Sequence, residues 1–205
     1  MPSMGWRTPM RLNDSLRAEL RQEVKAERFD ITPEGVYFPR NGINVNGEYF
    51  ARVNGGDWEK EGDNLVVNEG LVHVLNVALG ATAKPAGYFL ALFSGSTTPA
   101  ANWTAASFAA VANEIVSQTE GYTGATRPAW TPATATTGSI DNLASAAQMT
   151  IATSGTLNVT GAALLTSSQR GGTTGVLVSA SAFAAPRVFQ AGDLYELGYR
   201  LNATV

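Results

Sequence analysis

The chain has 205 residues, a formal net charge of −3, 44% hydrophobic residues and no cysteine. This length and hydrophobic content suit one sandwich-sized domain with an appended segment, or two small domains. The lack of cysteine excludes disulfide bonds and thiolate metal sites or nucleophiles. With no excess of Lys and Arg we expect no nucleic-acid partner, because phosphate neutralisation needs clustered basic side chains.

The N-terminal sequence, MPSMGWRTPMRLNDS, does not resemble a signal peptide. Prolines interrupt it twice, and it lacks an uninterrupted apolar run. The longest apolar stretches, residues 70–79 and 87–93, are much shorter than the roughly 20 residues that a membrane-spanning helix needs. We therefore expect a soluble protein that is made in the cytoplasm, is not exported and has no membrane partner.

Charge is distributed unevenly along the chain. Of the 31 charged residues, 22 lie in the first 84 positions, and the rest of the chain is rich in Ala, Thr, Ser and Gly. Apolar and aromatic residues recur throughout this second part, which is typical of packed β-structure rather than of a disordered linker. The composition predicts an N-terminal α+β arm over residues 1–84 and a β domain over residues 85–205.

The arm begins with a predicted amphipathic helix over residues 13–28, capped by Asn13 or Asp14. Its narrow apolar stripe is bordered by basic residues on one side and by Glu19, Glu23 and Glu27 on the other. The stripe and the nearest basic residues are candidate interaction residues: Leu16, Leu20, Val24, Arg17 and Arg21. The pattern suits docking against another helix or subunit, and it equally suits a solvated helix on the surface of its own domain.

Short strand signals follow, with turn residues between them. Strands are predicted over residues 36–38, 43–45 and 49–53, and Asn46-Gly47 predicts a tight hairpin. Residues 57–64 read as a polar turn. A second helix is predicted from a cap at Asn68 to a stop at Gly80, with one face in the core: Leu71, Val74, Leu75, Ala78 and Leu79.

The second part of the chain reads as strands separated by turn residues. Strands are predicted over residues 88–93, 149–153, 157–165, 176–183 and 194–201, and a short helix capped by Thr104 over residues 105–111. Residues 121–141 predict an extended loop or a pair of edge strands. This spacing favours a mainly β fold: an antiparallel β-sandwich, jelly-roll-like, preceded by the α+β arm.

A search for catalytic groups finds no convincing set. His73 has no partner histidine or cysteine, which favours a structural role. Two of the five acids after residue 84 could flank a glycosidic bond, but their spacing in sequence gives no distance in space. These acids are Glu114, Glu120, Asp141, Asp193 and Glu196. We expect no enzymatic activity, no cofactor and no metal.

Large aromatic residues leave carbohydrate binding open. Sugar-binding surfaces stack aromatic rings on their ligands, although large aromatics are more often buried. The candidates are Tyr88, Trp103, Tyr122 and Trp130.

Four segments between residues 121 and 201 carry a family resemblance. GYTGATRPAWTP, GTLNVTGAALLTS, RGGTTGVLVSASAF and VFQAGDLYELGYRL together resemble small virion structural proteins of tailed bacteriophages. The resemblance covers about residues 85–205, and VYFPRNGINVNGEYF in the arm is also similar to segments of such proteins. It implies a β-sandwich without catalytic residues, located in the virion.

Such proteins decorate or cement capsids, or form part of the neck, tail or fibres. The low-charge domain and the charged helical arm favour a cement protein that binds the major capsid protein. The alternative is a neck, tail or fibre protein that contributes to host adhesion or carbohydrate binding, although the chain lacks the long repeats or coiled-coil stalk typical of fibres.

The turn at residues 169–175 and the strand after it suggest self-association. Arg170 is the only charged residue of this turn, and the strand at residues 176–183 carries small, neutral side chains. We expect it to be an edge strand, and it lacks the lysines, prolines or bulges that protect such edges from pairing, with only Pro186-Arg187 close to it. We therefore predict a dimer or trimer, with Arg170 among the interaction residues.

Overall fold

The computed structural model describes residues 29–31, 37–39, 43–135 and 137–204. The chain divides into two compact units, Met1–Ile43 and Asn44–Thr204. In the first unit, strands β1 (Phe29–Ile31) and β2 (Tyr37–Pro39) pair antiparallel. The larger unit thus begins at Asn44, whereas the composition shift had suggested a boundary after residue 84.

The larger unit consists mainly of one antiparallel sheet. Its strands are β3 (Asn44–Val53), β4 (Glu59–Val66), β5 (Tyr88–Phe93), β6 (Gly121–Tyr122), β7 (Ala129–Trp130), β8 (Ser139–Asp141), β9 (Ala147–Ala152), β10 (Leu157–Leu165), β11 (Leu177–Phe189) and β12 (Leu194–Thr204). They lie in the order β6-β9-β12-β3-β4-β11-β10-β5-β7, and β8 pairs beside β9 on β12. The prediction of a mainly β, antiparallel fold is confirmed.

Two helices, α1 (Asn68–Ala78) and α2 (Ala105–Val111), accompany the described part of the sheet. Neither is long and apolar enough to cross a membrane. The predicted bounds of α2 are confirmed, and its first turn has a capping box in which Thr104 and Ser107 satisfy each other's backbone N–H groups. The predicted bounds of β5 and β10 are also confirmed.

The sheet is curled into a half-barrel. The indole Nε1 of Trp130 on β7 donates a hydrogen bond to the carbonyl oxygen of Tyr199 on β12 at 2.9 Å. Five strands separate β7 from β12 in the sheet order. A flat sheet of this order could not bring these strands within hydrogen-bond distance, because neighbouring strands lie about 4.8 Å apart.

The central strands are buried on both faces. On β5, Leu90 and Leu92 contribute to the larger core inside the curl, whereas Phe93 contributes to a second core on the opposite face. That second core includes Phe108 of α2, whose ring meets Phe93 edge to face. Burial on both faces explains why β5 and β10 read as nearly continuous apolar runs.

The predicted hairpin at Asn46-Gly47 is wrong. Strand β3 runs straight through these residues, and Gly47 pairs with Leu201 on one side and Asn64 on the other. The chain turns instead at Asn54-Gly55, whose φ angles of 53° and 73° suit a tight hairpin. A Cβ at position 47 would lie 2.4 Å from the Tyr199 hydroxyl oxygen, so close packing requires that glycine.

The predicted polar turn at residues 57–64 is mostly strand β4. Its charged side chains pair with neighbouring strands: Lys60 with Glu48 at 2.7 Å, and Glu61 with Arg187 at 2.9 Å. Alternating charge on a strand resembles a loop in sequence, because the partners that neutralise it are distant in the chain.

Strand β11 is an interior strand and not a sheet edge. It pairs with β10 along most of its length and with β4 at Ser179 and Ala180. The two ends of the sheet order are instead the two-residue strands β6 and β7, which lie in the segment where the sequence predicted edge strands. The argument for self-association from an uncovered edge at residues 176–183 therefore loses its basis.

The predicted core face of α1 is also wrong in large part. The buried residues of this helix are Gly70 and His73. Four of the five predicted core residues are exposed: Leu71, Leu75, Ala78 and Leu79. The helix is rotated so that Gly70 contacts β11, where a Cβ would lie 2.0 Å from the Val178 carbonyl oxygen.

Candidate functional site

Five of the six predicted interaction residues cannot be placed. Leu16, Arg17, Leu20, Arg21 and Val24 lie outside the described residues. Their role in docking stays a prediction.

Arg170, the sixth, makes its contacts within the chain. Its guanidinium carbon lies 3.7 Å from the centre of the Tyr122 ring. The guanidinium donates hydrogen bonds to four backbone carbonyl oxygens, those of Ile115, Ser117, Tyr122 and Gly124. Burial lowers the pKa of Arg170 from its usual value. The side chain holds the turn at residues 169–175 against the segment that leads into β6, and its contact with a partner stays a prediction.

A buried ion pair lies beside this turn. Arg127 donates through Nε and Nη2 to the two carboxylate oxygens of Glu114, at 2.7 Å each. Arg127 also donates to the Ser167 carbonyl oxygen, and the Gly171 N–H donates to Glu114. The pair joins three loops. Both carboxylate oxygens of Glu114 accept hydrogen bonds in this contact.

The other four acids after residue 84 are also engaged. Glu120 accepts from Thr153 and Ser154, Asp141 pairs with Arg200, Asp193 accepts from Gln190 and Asn54, and Glu196 pairs with Arg52. Each carboxylate serves a loop or a neighbouring strand. The structure therefore does not present two of these acids as an unengaged pair.

His73 is buried against the sheet. Its Nε2 lies 3.1 Å from the Tyr88 hydroxyl oxygen, and burial lowers its pKa from the usual value. Over the described ranges no three His, Cys, Asp or Glu side chains are grouped so that they could hold a metal ion. These contacts agree with a structural role for this histidine.

Three of the four aromatic candidates for sugar stacking are buried. Trp103 and Trp130 belong to the two cores, and Tyr122 lies under Arg170. Tyr88 is half-buried, and its hydroxyl group shares a hydrogen bond with Nε2 of His73. A sugar ring requires an exposed aromatic face, so the three buried rings do not offer a stacking surface in this conformation.

A cavity of about 570 Å³ lies between α1 and the inner surface of the curled sheet. Val74 and Val77 of α1 line one wall, and Tyr88, Trp130 and Leu201 line the sheet side. This volume is in the range of ligand-binding clefts. Most of its lining is apolar, so the cavity suits an apolar group.

The most unusual surface in the described residues is the outer face of α1, which we define as Leu71, Val72, Leu75 and Leu79. The exposed fractions of these side chains are 38%, 58%, 59% and 85%. Sequence reasoning missed this surface by assigning three of the four residues to the core. The signal was present, since LVHVLNVAL has more apolar residues than one helix face can bury.

Comparisons with known proteins do not identify a family. No protein-family model matches the sequence, and no curated protein shows significant similarity to it. The functional interpretation therefore depends on the residues and their geometry.

Proposed function

We propose that this chain is a virion structural protein that binds and stabilises the capsid shell of a tailed bacteriophage as a cement or decoration protein. The observation that carries the proposal is that the chain leaves an uncharged apolar surface exposed, the outer face of α1, as a protein that assembles with other chains does. Exposed apolar patches mark interaction sites. The motifs of residues 121–201, similar to those of phage virion proteins, indicate the kind of assembly.

The same proposal includes a jelly-roll-like β-sandwich. Strands β4 and β11 are joined by only two residue pairs, which divides the sheet order into two halves. Side chains from both halves, such as Tyr199 of β12 and Leu164 of β10, share the larger core. Two layers around one core would fit a sandwich.

The role proposed here is structural and not catalytic, and it needs no cofactor or metal. Its supports are the engagement of all five acids after residue 84 and the contact of His73 with Tyr88. The partners would be the major capsid protein and further copies of the chain, with no nucleic acid or membrane involved. The protein would be made in the host cytoplasm and located in the virion.

Co-sedimentation with purified expanded capsid shells tests the proposal. The full-length protein is expected to sediment with shells. It is not expected to sediment with host cells. Leu20→Asp places a charge in the predicted apolar stripe and is expected to weaken shell binding at least about tenfold. Gln22→Asp adds the same charge on the opposite side of the predicted helix and serves as the matched control.

The same experiment tests the alternative of a neck, tail or fibre protein that contributes to host adhesion or carbohydrate binding. Binding to cells or glycans without binding to shells would favour it. Equal shell binding by the wild type and Leu20→Asp would remove the stripe from the interface. The burial of Trp103, Tyr122 and Trp130 speaks against sugar stacking on these rings.

A further inference from the structure

Helix α1 has a wide apolar surface, which is interrupted by a polar side that carries Glu69, His73 and Asn76. Gly70, Val74 and Val77 face the sheet and the cavity, while the outer face of α1 points away from them into solvent. A surface helix normally buries its apolar residues against the core of its own domain. Among the residues that the structure describes, nothing covers the outer face of α1.

The shape of this face is symmetric along the helix. Leu71, Leu75 and Leu79 follow each other at intervals of four residues, which places them on one ridge about 12 Å long. If a second α1 packs antiparallel across a two-fold axis, Leu75 meets the same residue of the other copy. Leu71 then meets Leu79 of the other copy. An isologous contact requires this kind of self-complementarity.

The charge distribution also permits a second copy. Glu69 is the only Asp, Glu, Lys or Arg in α1. Its Oε2 accepts hydrogen bonds from the N–H groups of Ala105 and Leu177 at 2.8 Å each, which directs the carboxylate toward α2 and β11. Two outer faces can therefore approach without bringing like charges together, whereas an acidic or basic partner would find no complementary charge on them.

The area needed by a stable dimer is larger than the ridge alone. A standard interface buries about 800 Å² on each partner. The turn after α1 extends the surface, because Gly80, Ala81, Thr82 and Ala83 are all exposed and uncharged. The leucine ridge would form the dry centre of the interface and this turn part of its rim.

We propose that the outer face of α1 binds the same face of a second copy, forming a two-fold symmetric dimer centred on Leu75. This dimer goes beyond the proposed binding to shells, which is assigned to the predicted stripe at Leu16, Leu20 and Val24 and not to the outer face of α1. It is tested in solution without shells, so the failure of one proposal does not imply the failure of the other.

Light scattering coupled to size-exclusion chromatography measures the expected mass. The wild type is expected near 43 kDa, twice the 21.5 kDa of one chain. Leu75→Lys is expected to raise the dissociation constant at least about tenfold and to elute as a monomer with an unchanged circular dichroism spectrum. Val188→Lys is the matched control, since Val188 on β11 is 60% exposed and Leu75 is 59% exposed. This control is expected to remain a dimer.

Disulfide cross-linking is a second measurement that does not depend on a destabilising charge. The chain contains no cysteine, so a single substitution introduces the only thiol. Leu75→Cys is expected to form a covalent dimer on mild oxidation, because the two-fold axis brings the two sulfur atoms together. Val188→Cys is expected to stay monomeric on a non-reducing gel.

Three results would overturn the proposal. The first is a wild type whose mass stays at 21.5 kDa, the mass of one chain. In that case the N-terminal residues of the same chain or another protein would be the occupant of the outer face of α1. The second is a Leu75→Lys variant that remains a dimer, or a wild-type mass of three chains. The third is a Val188→Cys variant that cross-links as readily as Leu75→Cys.

Discussion

Arg127 and Glu114 form a two-pronged ion pair that is almost completely shielded from water. The side chains are 0% and 1% exposed, and two N–H···O contacts of 2.7 Å join them. The pair is surrounded by backbone groups of the loops it connects, including Ser167 and Gly171. Its value to the fold lies in satisfying buried groups, because desolvation offsets much of the attraction between the charges.

Removing one partner of this pair is expected to be strongly destabilising. Glu114→Gln leaves the guanidinium of Arg127 buried without a counter-charge, which costs about 3–5 kcal/mol. Urea unfolding measures the change in the free energy of unfolding. The control is Glu48→Gln, which breaks the more exposed pair with Lys60 and is expected to cost less than about 1 kcal/mol. Equal losses in the two variants would contradict this interpretation.

The hydroxyl of Tyr122 is expected to contribute nothing to stability. It is buried and makes no hydrogen bond to the described residues. Tyr122→Phe keeps the ring under Arg170 and removes an unsatisfied polar atom, so the free energy of unfolding should stay within about 0.5 kcal/mol of the wild type or rise. Tyr199→Phe is the control, since Asn64 donates to that hydroxyl at 2.7 Å. Its expected loss is about 1 kcal/mol.

The raised pKa of Tyr122 predicts that the protein loses stability at alkaline pH. Burial raises the pKa of Tyr122 to about 12 from an ordinary value of 10.0. Because the unfolded chain loses this proton near pH 10 and the folded protein keeps it to about pH 12, the free energy of unfolding is unaffected below pH 10 and falls as the pH rises from 10 toward 12. Unfolding by urea at a series of alkaline pH values should show a shallower decline in Tyr122→Phe than in the wild type. Parallel declines would exclude Tyr122 as a source of the effect.

Close backbone packing at Gly70 should make this position intolerant of any side chain. A Cβ there would lie 2.0 Å from the Val178 carbonyl oxygen and would push α1 away from β11. Gly70→Ala is expected to cost about 1–3 kcal/mol or more. At Gly155 no atom lies within 4 Å of an added Cβ, so Gly155→Ala should be neutral or slightly stabilising. Thermal unfolding measures the stability of both variants. Equal melting temperatures would contradict the described packing of α1 against β11.

Glu196 should contribute to acid sensitivity. Hydrogen bonds from Arg52 lower its pKa below the ordinary value of 4.5. A lowered carboxyl pKa contributes stability above the unfolded value, and this contribution is lost as the pH falls through the folded value. The stability difference between the wild type and Glu196→Gln should therefore shrink between about pH 6 and pH 3. A difference that is constant over this range would mean that the carboxylate charge is not involved.

Local sequence patterns predicted the elements whose causes are local. The bounds of β5, β10 and α2 follow from apolar runs and from the Thr104 cap, and these predictions are confirmed. The Asn-Gly signal is also local, but within the described residues it occurs at two places, Asn46-Gly47 and Asn54-Gly55. Only the second pair has the positive φ angles of a turn, because the first is held in β3 by pairing with β12 and β4.

The surroundings of Arg170 and of α1 could not be predicted from the sequence, because they are set by contacts between residues that are distant in the chain. Arg170 stands out in sequence as the lone charge of its turn, but its guanidinium is held by carbonyl groups more than 40 positions earlier in the chain. The apolar residues of α1 were evident, whereas the side of the helix that faces the sheet was decided by Gly70 and Val178.

The sequence by itself determined a mainly β chain with little charge after residue 84, no cysteine and no recognisable catalytic set. Tertiary structure alone decided that β11 lies inside the sheet, that five acids are engaged and that the leucines of α1 remain exposed. The physical reason is that the spacing of apolar residues along a helix or strand indicates which of its faces are apolar. Which face is covered depends on packing partners that are distant in the chain.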